Sequence, residues 1–154
     1  MTDFVATIKW QLNDGDFLNN NYSRAHSWEF DGGTVVAATA SPHIVSPLWA
    51  PEENVDPEEA FVASLASCHM LFFLAIAAKE GIQVESYEDN PFGTLGKNQQ
   101  GKHAISRIVL RPSARYAENM TPSREQQESL HHQAHEHCFL ANSVNTQIDI
   151  EIQD

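Results

Sequence analysis

The most apolar part of the chain is a single stretch, residues 60–78, in which nearly every side chain is apolar or small. The residues that flank it are typical of helix ends. Asp56 can cap the first free amide groups, Pro57 suits the first helical position, and Glu59 can complete a capping box. Gly81 can adopt the left-handed conformation that closes a helix. We therefore predict a long helix that must be covered on all sides, because it has no polar face.

Three segments ahead of this helix alternate between polar and apolar positions with the period of a β-strand. Two turns, Asp14-Gly15-Asp16 and Asp31-Gly32-Gly33, separate these segments, so we expect an antiparallel meander. A loop that contains three prolines then leads into the helix. The three predicted strands are Phe4–Gln11, Tyr22–Phe30 and Thr34–Ser41.

The chain beyond the long helix predicts two further strand regions, a second helix and a last strand. Glycine, proline and asparagine in residues 91–101 indicate a turn, and Thr121 or Ser123 can cap the second helix. The order β-β-β-α-β-β-α-β contains no internal repeat and predicts one α+β domain over residues 1–154. The predicted elements are strands Ile82–Tyr87, His103–Pro112, which residues 113–116 could continue, and Val144–Ile152, and a helix from about Ser123 to about Phe139.

The second predicted strand places an unusual set of side chains on one face. Tyr22, Arg24, His26, Trp28 and Phe30 alternate there, whereas a solvated strand would carry its charge on the face opposite the aromatic rings. The Arg24 guanidinium could stack on a neighbouring ring, or it could be aimed at an anion. The pattern leaves both roles open.

Composition and charge narrow the range of partners. The chain has 154 residues, 42% of them hydrophobic, which fits one globular domain. Its formal net charge of -12 argues against binding to nucleic acid or to an anionic membrane, since both would repel an acidic surface. We expect a small neutral ligand or another protein as the partner.

The long apolar stretch also raises the alternative of a membrane span. Polar side chains interrupt it, acidic residues precede it and no basic cluster flanks it, which favours a core helix. The first ten residues lack the pattern of a secretory signal, so we expect a cytosolic protein, in which structural disulfides are rare. Cys68 and Cys138 are then either inert apolar side chains or redox-active thiols.

A candidate metal site lies on the predicted second helix. Offsets of four and three residues place His131, His135 and Cys138 on one face. Imidazole and thiolate groups bind zinc or copper, but the usual paired spacing of such ligands is missing. A partly exposed histidine face is the alternative.

Cys68 is the sharper chemical lead. A cysteine reacts as its thiolate, and the apolar surroundings of a core helix raise the pKa of a thiol, so reactivity would need a nearby cation or hydrogen-bond donor. Cys68 lies about three turns beyond the helix start, where the helix dipole alone is too weak. Arg24 is the candidate cation.

Two motifs that contain the cysteines stand out. The first is Asp56-Pro57-Glu58-Glu59 followed by Ala63-Ser64-Leu65-Ala66-Ser67-Cys68-His69-Met70, and the second is Ala134-His135-Glu136-His137-Cys138-Phe139-Leu140-Ala141-Asn142-Ser143. Together they resemble the osmotically inducible protein C and organic hydroperoxide resistance (OsmC/Ohr) family. The resemblance spans most of the chain and includes the order of the predicted elements.

The resemblance implies an OsmC-like fold, in which an intertwined homodimer wraps antiparallel sheets around central apolar helices. It also implies a peroxidase that needs neither a metal nor a flavin. Cys68 corresponds to the peroxidatic thiol and Cys138 to the resolving thiol. Glu58 resembles the carboxylate that pairs with the family's arginine, and Arg24 is the candidate for that arginine.

In the chemistry that the resemblance implies, the peroxidatic thiolate attacks an organic hydroperoxide, an alcohol leaves and a sulfenic acid remains. The resolving thiol condenses with it to a disulfide, which a lipoyl-type protein dithiol or a small dithiol reopens. Apolar walls would favour an organic peroxide over hydrogen peroxide. The side chains expected to form these walls are Phe61, Leu65, Phe72 and Phe139.

One distance is hard to reconcile with this scheme. Ten residues of straight helix separate Glu58 from Cys68 by about 15 Å, so Arg24 would have to bridge part of the gap. Two other classes of function also stay open. One is a binding or redox-sensing protein for an apolar ligand without enzymatic activity, and the other is a thioesterase-like hydrolase with Glu58 as the base.

Overall fold

The computed structural model describes residues 1–154, and these fall into two units, Met1–Ala60 and Phe61–Asp154. The first unit is dominated by an antiparallel sheet with the strand order β1-β4-β5, so the predicted meander is confirmed. A small hairpin, β2 and β3, is inserted between its first two strands. The strands are β1 Ala6–Lys9, β2 Gly15–Asp16, β3 Asn21–Tyr22, β4 His26–Phe30 and β5 Val35–Ala38. The expectation of a single domain stays a prediction.

The predicted strand Tyr22–Phe30 is interrupted in the structure, and Arg24 lies in the break between β3 and β4. The backbone N–H of Arg24 donates to the carbonyl of Trp49 over 2.7 Å, and the N–H of Ala25 donates to the Ser23 hydroxyl over 3.1 Å. These local bonds replace those of a strand ladder. The predicted five-residue face therefore does not extend through Arg24.

The long apolar helix is confirmed as α1, Pro57–Lys79. Its capping box is formed as predicted, because the N–H of Glu59 donates to Asp56 Oδ1 and the N–H of Asp56 donates to Glu59 Oε1, both over 2.8 Å. Gly81 closes the end with a φ of 74°, a conformation that glycine adopts without strain.

The second unit contains two sheets, one with the strand order β10-β8-β7 and one formed by β6 and β9. The last strand runs parallel to β8, whereas the other pairs in this unit are antiparallel. Four strands lie between the two helices, not the two predicted. The strands are β6 Val84–Asp89, β7 Phe92–Lys97, β8 His103–Leu110, β9 Pro112–Tyr116 and β10 Gln147–Ile150.

The extra strands correct two predictions. β7 contains Gly93 and Gly96, which suggested a turn, but both serve close packing in the sheet. A Cβ atom at Gly93 would lie 2.7 Å from a methyl carbon of Val62, and one at Gly96 would lie 2.5 Å from the Ser106 hydroxyl. The predicted continuation of β8 through residues 113–116 is a separate strand, since the N–H of Arg111 leaves the ladder and donates to a carboxylate oxygen of Asp89 over 2.7 Å.

The second helix is confirmed as α2, Arg124–His137, two residues shorter than predicted at its end. Ser123 is the capping residue, and it forms a capping box with Gln126. Cys138 follows directly after the helix, and its N–H still donates to the carbonyl of Ala134 over 3.0 Å. The thiol therefore belongs to the turn that leaves α2.

The core of the second unit consists of two clusters along α1. In the first, Leu65 and Ala66 of α1 pack against Ile108 and Leu110 of β8. In the second, Phe73 and Ala77 pack against α2. The buried residues of α1 recur every three to four positions, so they form one stripe of the helix. They are Leu65, Ala66, His69, Phe73 and Ala77.

The remaining surface of α1 is apolar but is not buried within one chain, contrary to the expectation that every side would be covered. Leu71 is 59% exposed. By length and hydropathy α1 would also be able to cross a membrane, but core helices of soluble proteins share that property. Its packing against α2 and β8 is that of a core helix.

Candidate active site

The structure brings the side chains of Cys68 and Cys138 together, close enough for the Cys68 thiol to raise the pKa of the Cys138 thiol. Cys68 lies on α1 and Cys138 on the turn after α2, and both are free thiols. Cys68 is partly exposed, whereas Cys138 is only 1% exposed. A reagent from solution can therefore reach Cys68 more readily than Cys138.

The surroundings of Cys138 keep its thiol protonated. Burial, followed by the interaction with the neighbouring Cys68 thiol, raises the pKa of Cys138 to about 11. The backbone N–H groups of Ala141 and Leu140 act in the opposite direction, and that of Ala141 lies 3.4 Å from the sulfur. The turn thus offers donors that would stabilise a thiolate once the proton is removed.

Directly beside the cysteines lies a buried pair of histidines that the sequence analysis did not identify. Nε2 of His69 lies 2.9 Å from Nδ1 of His131, and the ring of His131 stacks on Phe73 at a centroid distance of 4.4 Å. Burial is the main cause that lowers the pKa of His69 to about 3 and that of His131 to about 4. Both imidazoles are therefore neutral near pH 7.

The histidine pair weakens the hypothesis of a metal site at His131, His135 and Cys138. Nδ1 of His131 is engaged by His69, so this nitrogen is not available to join His135 and Cys138 around an ion. No group of three or more histidine, cysteine or acidic side chains in residues 1–154 is arranged to hold a metal. The signal that could have revealed the pair was weak, because 62 positions separate the two histidines.

Cys138 also borders a narrow crevice between α1, α2 and the sheet that contains β8 and β10. Its polar wall consists of Cys138, His69 and His135, and the rest of the wall is apolar. The apolar lining residues are Leu65, Leu110, Ala141 and Ile148. Leu65 therefore faces this crevice and the core, and it does not form part of an open substrate wall as expected.

Arg24 shows the stacking that was one of its two predicted roles. Its guanidinium carbon lies 3.7 Å from the centre of the Tyr22 ring. Its side chain donates hydrogen bonds to Oδ1 of Asn20 over 2.6 Å and to the carbonyls of Asn20 and Tyr22. All these partners lie within four positions of Arg24 in the chain, and its role at the peroxidatic thiol stays a prediction.

Glu58 lies in the first turn of α1, and one of its carboxylate oxygens, Oε2, is buried without a hydrogen-bond partner. Glu58 and Arg24 form no ion pair within this chain. A buried carboxylate oxygen without a partner is costly, so Glu58 is a candidate for a contact that one chain does not supply. Its role in the site stays a prediction.

Comparison with known proteins decides the family. The sequence model of the OsmC-like protein family matches residues 50–153, which include both cysteines and both helices. The chain belongs to the OsmC-like family. An OsmC-like protein of unknown function from Vibrio cholerae has 52% sequence identity over 99% of this chain and 100% of its own, with a TM-score of 0.96. None of the proteins of curated function matches this chain in sequence.

Two more distant OsmC-like relatives have solved structures. The organic hydroperoxide resistance protein of Elizabethkingia anophelis is 14% identical, covers 100% of this chain and 97% of its own, and has a TM-score of 0.75. That of Bacillus subtilis is 20% identical, covers 97% and 98%, and has a TM-score of 0.68. At these identities the likeness concerns the fold, and the predicted OsmC-like fold is confirmed.

Proposed function

We propose that this OsmC-like protein is a cytosolic antioxidant peroxidase that reduces organic hydroperoxides to alcohols with its two thiols. The observation that supports this most strongly is the proximity of a partly exposed Cys68 to a buried Cys138. The exposed thiol can react with the peroxide, and the protected thiol beside it can then react with the sulfenic acid that forms. Several structural relatives carry the name of organic hydroperoxide resistance proteins.

The proposed cycle has three steps. The Cys68 thiolate attacks the distal oxygen of the hydroperoxide, the O–O bond breaks, and the alkoxide takes up a proton and leaves as the alcohol. Cys138 then displaces water from the sulfenic acid to form a disulfide. An external dithiol, carried by a lipoyl-type protein or a small molecule, reduces this disulfide by thiol exchange.

The chain offers an apolar surface next to the thiols, which supports an organic substrate. Phe72, four residues after Cys68, packs edge to face with Phe139, with ring centres 5.1 Å apart. Phe139 directly follows Cys138 and is 73% exposed. Burial of each CH₂ group of a substrate against such rings is worth about 0.8 kcal/mol, a gain that hydrogen peroxide cannot obtain.

We further propose that the active form is a homodimer. The exposed apolar surface of α1 would be stabilised by burial against another apolar surface, and the same surface of a second copy of the chain can provide it. Within residues 61–154 no lysine or arginine side chain hydrogen-bonds to Cys68, so the cation that stabilises its thiolate comes from elsewhere. We assign this role to Arg24, with the carboxylate of Glu58 as its partner.

A turnover assay with cumene hydroperoxide and a dithiol tests the proposal. The wild type should consume the peroxide, the Cys68→Ser variant should not, and Ser67→Ala, at an exposed position beside it, should retain activity. Loss of activity with Cys68→Ser but retention with a chelator fits the thiol mechanism. Full activity of Cys68→Ser would contradict it and would favour a binding protein or a hydrolase that uses Glu58.

A further inference from the structure

The buried position of Cys138 creates a chemical problem for disulfide formation. The attacking group must be a thiolate, yet burial raises the pKa of this thiol to about 11, so the protonated thiol predominates at pH 7. The backbone donors of Leu140 and Ala141 can stabilise the negative sulfur, but they cannot accept its proton. A base close to Cys138 would remove this barrier.

The crevice beside Cys138 contains two candidate bases and no others. Its lining side chains are apolar except for the thiol itself, His69 and His135. His69 is a poor base, because it is almost fully buried, it already hydrogen-bonds to His131, and its pKa is lowered to about 3. A proton placed on it would create a buried charge without a counterion.

His135 differs from His69 in its exposure to water and in its position at a helix end. It is partly exposed, so that its imidazolium would keep contact with water. It also lies in the last turn of α2, where the free carbonyl groups of the helix end favour a positive charge. The other titratable groups that line this space are His69 on α1 and Cys138 after α2. Both are uncharged near pH 7.

We propose that His135 is the general base that activates Cys138 for disulfide formation. His135 accepts the proton of the Cys138 thiol, and the sulfur of Cys138 attacks the sulfur of the Cys68 sulfenic acid. The S–O bond breaks, and the departing hydroxide takes the proton back from His135 and leaves as water. The step consumes no further oxidant, and it rests on the peroxidase function proposed above.

The neutral His69–His131 pair has a passive part in this step. Because both rings are buried and their pKa values are lowered, neither His69 nor His131 accepts the proton of Cys138. The pair fills the space between α1 and α2 beside the crevice. His135 is then the one group on the wall that can exchange the proton with solvent.

A single-turnover experiment separates the two chemical steps. The protein is mixed with one equivalent of cumene hydroperoxide, quenched at intervals, and analysed by mass spectrometry for the Cys68 sulfenic acid, trapped with dimedone, and for the disulfide. We expect the variant His135→Gln to form the sulfenic acid at the wild-type rate but to form the disulfide about 100-fold more slowly at pH 7. His132→Gln, at an exposed position of the same helix, is the matched control.

The pH profile distinguishes a base from a merely structural residue. In the wild type the rate of disulfide formation should level off once the imidazole is neutral. In the variant it should keep rising about tenfold per pH unit towards the pKa of the Cys138 thiol itself, so that the two proteins converge in alkali. A residue that only supports the fold would lower the rate equally at every pH.

The outcomes are distinct. If His135→Gln forms the sulfenic acid normally and also forms the disulfide with the wild-type rate and profile, the role of His135 is wrong while the peroxidase function stands. If hydroperoxide produces no sulfenic acid in any of the proteins, the peroxidase function itself fails, and the role of His135 fails with it. If the His135→Gln variant does not fold, His135→Asn provides a second test of the same role.

Discussion

Nε2 of His69 and Nδ1 of His131 form a hydrogen bond of 2.9 Å between two buried rings that lie within 3° of parallel. Each imidazole is neutral, because burial lowers its pKa. The bond ties the middle of α1 to α2 directly beside Cys68 and Cys138. The relative position of the two thiols therefore depends on a polar contact between two uncharged rings.

This contact predicts a loss of stability in weak acid. The unfolded chain takes up protons on both histidines as the pH falls below about 6.5, whereas the folded chain resists until about pH 4 and below. The free energy of unfolding should therefore have its full value above pH 6.5. Below that pH it should decline by up to about 1.4 kcal/mol per pH unit for each histidine. Urea unfolding at fixed protein concentration between pH 7 and pH 5 measures this slope.

Two variants serve as controls for the acid effect. His132→Gln removes an exposed imidazole and should keep the wild-type slope. The double variant His69→Met/His131→Phe replaces both partners by apolar groups and should flatten the slope without a large loss at pH 7. A wild-type stability that is constant from pH 7 to pH 5 would show that the pair is not neutral and buried in solution.

Gly93 in β7 should resist substitution by any larger residue. A Cβ atom there would approach Val62 of α1 to 2.7 Å, so Gly93→Ala should lower the free energy of unfolding by about 1–3 kcal/mol. Gly32→Ala, at a position with open space, should cost little. Adding Val62→Ala should recover part of the loss. Thermal or urea unfolding of the wild type, the three single variants and the double variant measures this recovery. Additive losses in the double variant would contradict the proposed contact.

Arg24 should affect the first chemical step and not the second. If its guanidinium stabilises the Cys68 thiolate, Arg24→Gln should slow sulfenic acid formation by about 100-fold or more. Arg115→Gln, which removes an exposed guanidinium in β9, is the control and should react at the wild-type rate. An unchanged rate for Arg24→Gln in a stopped-flow assay would assign Arg24 to the stacking on Tyr22 alone.

The exposed surface of α1 predicts the oligomeric state. Leu71 is 59% exposed, and in a homodimer that covers α1 it would be buried. Leu71→Glu should then shift the protein from dimer to monomer, or weaken the dimer strongly, in analytical ultracentrifugation. Leu95→Glu, at a residue of β7 that is 50% exposed, is the matched change. A wild-type monomer at micromolar concentration would contradict the dimer.

The sequence predicted those parts of the fold whose causes are local. The capping box of Asp56 and Glu59 and the closure at Gly81 can be read from a few neighbouring residues, and so could the start of α2 at Ser123. β7 was missed because its glycines resemble a turn, and their real cause is close packing against Val62 and Ser106. Such packing involves residues distant in the chain and leaves no local pattern.

Only part of the candidate site could be predicted from the sequence. Cys68 was singled out from its position in the apolar helix, but its pairing with Cys138 was implied only by the family resemblance, since no local pattern links positions 68 and 138. The partnership of His69 with His131 could not be predicted, because it depends on how α1 and α2 pack. Arg24 was placed on a continuous strand, but hydrogen bonds to its neighbours end that strand before it.

Peptide mapping after a single addition of cumene hydroperoxide shows whether Cys68 and Cys138 act as one redox pair. The fully reduced protein is treated with one equivalent of the peroxide, and the remaining thiols are alkylated before digestion and mass spectrometry. We expect one cross-linked peptide pair that joins Cys68 to Cys138 within a chain, together with one molecule of alcohol per disulfide. Two alkylated cysteines beside unconsumed peroxide would contradict it.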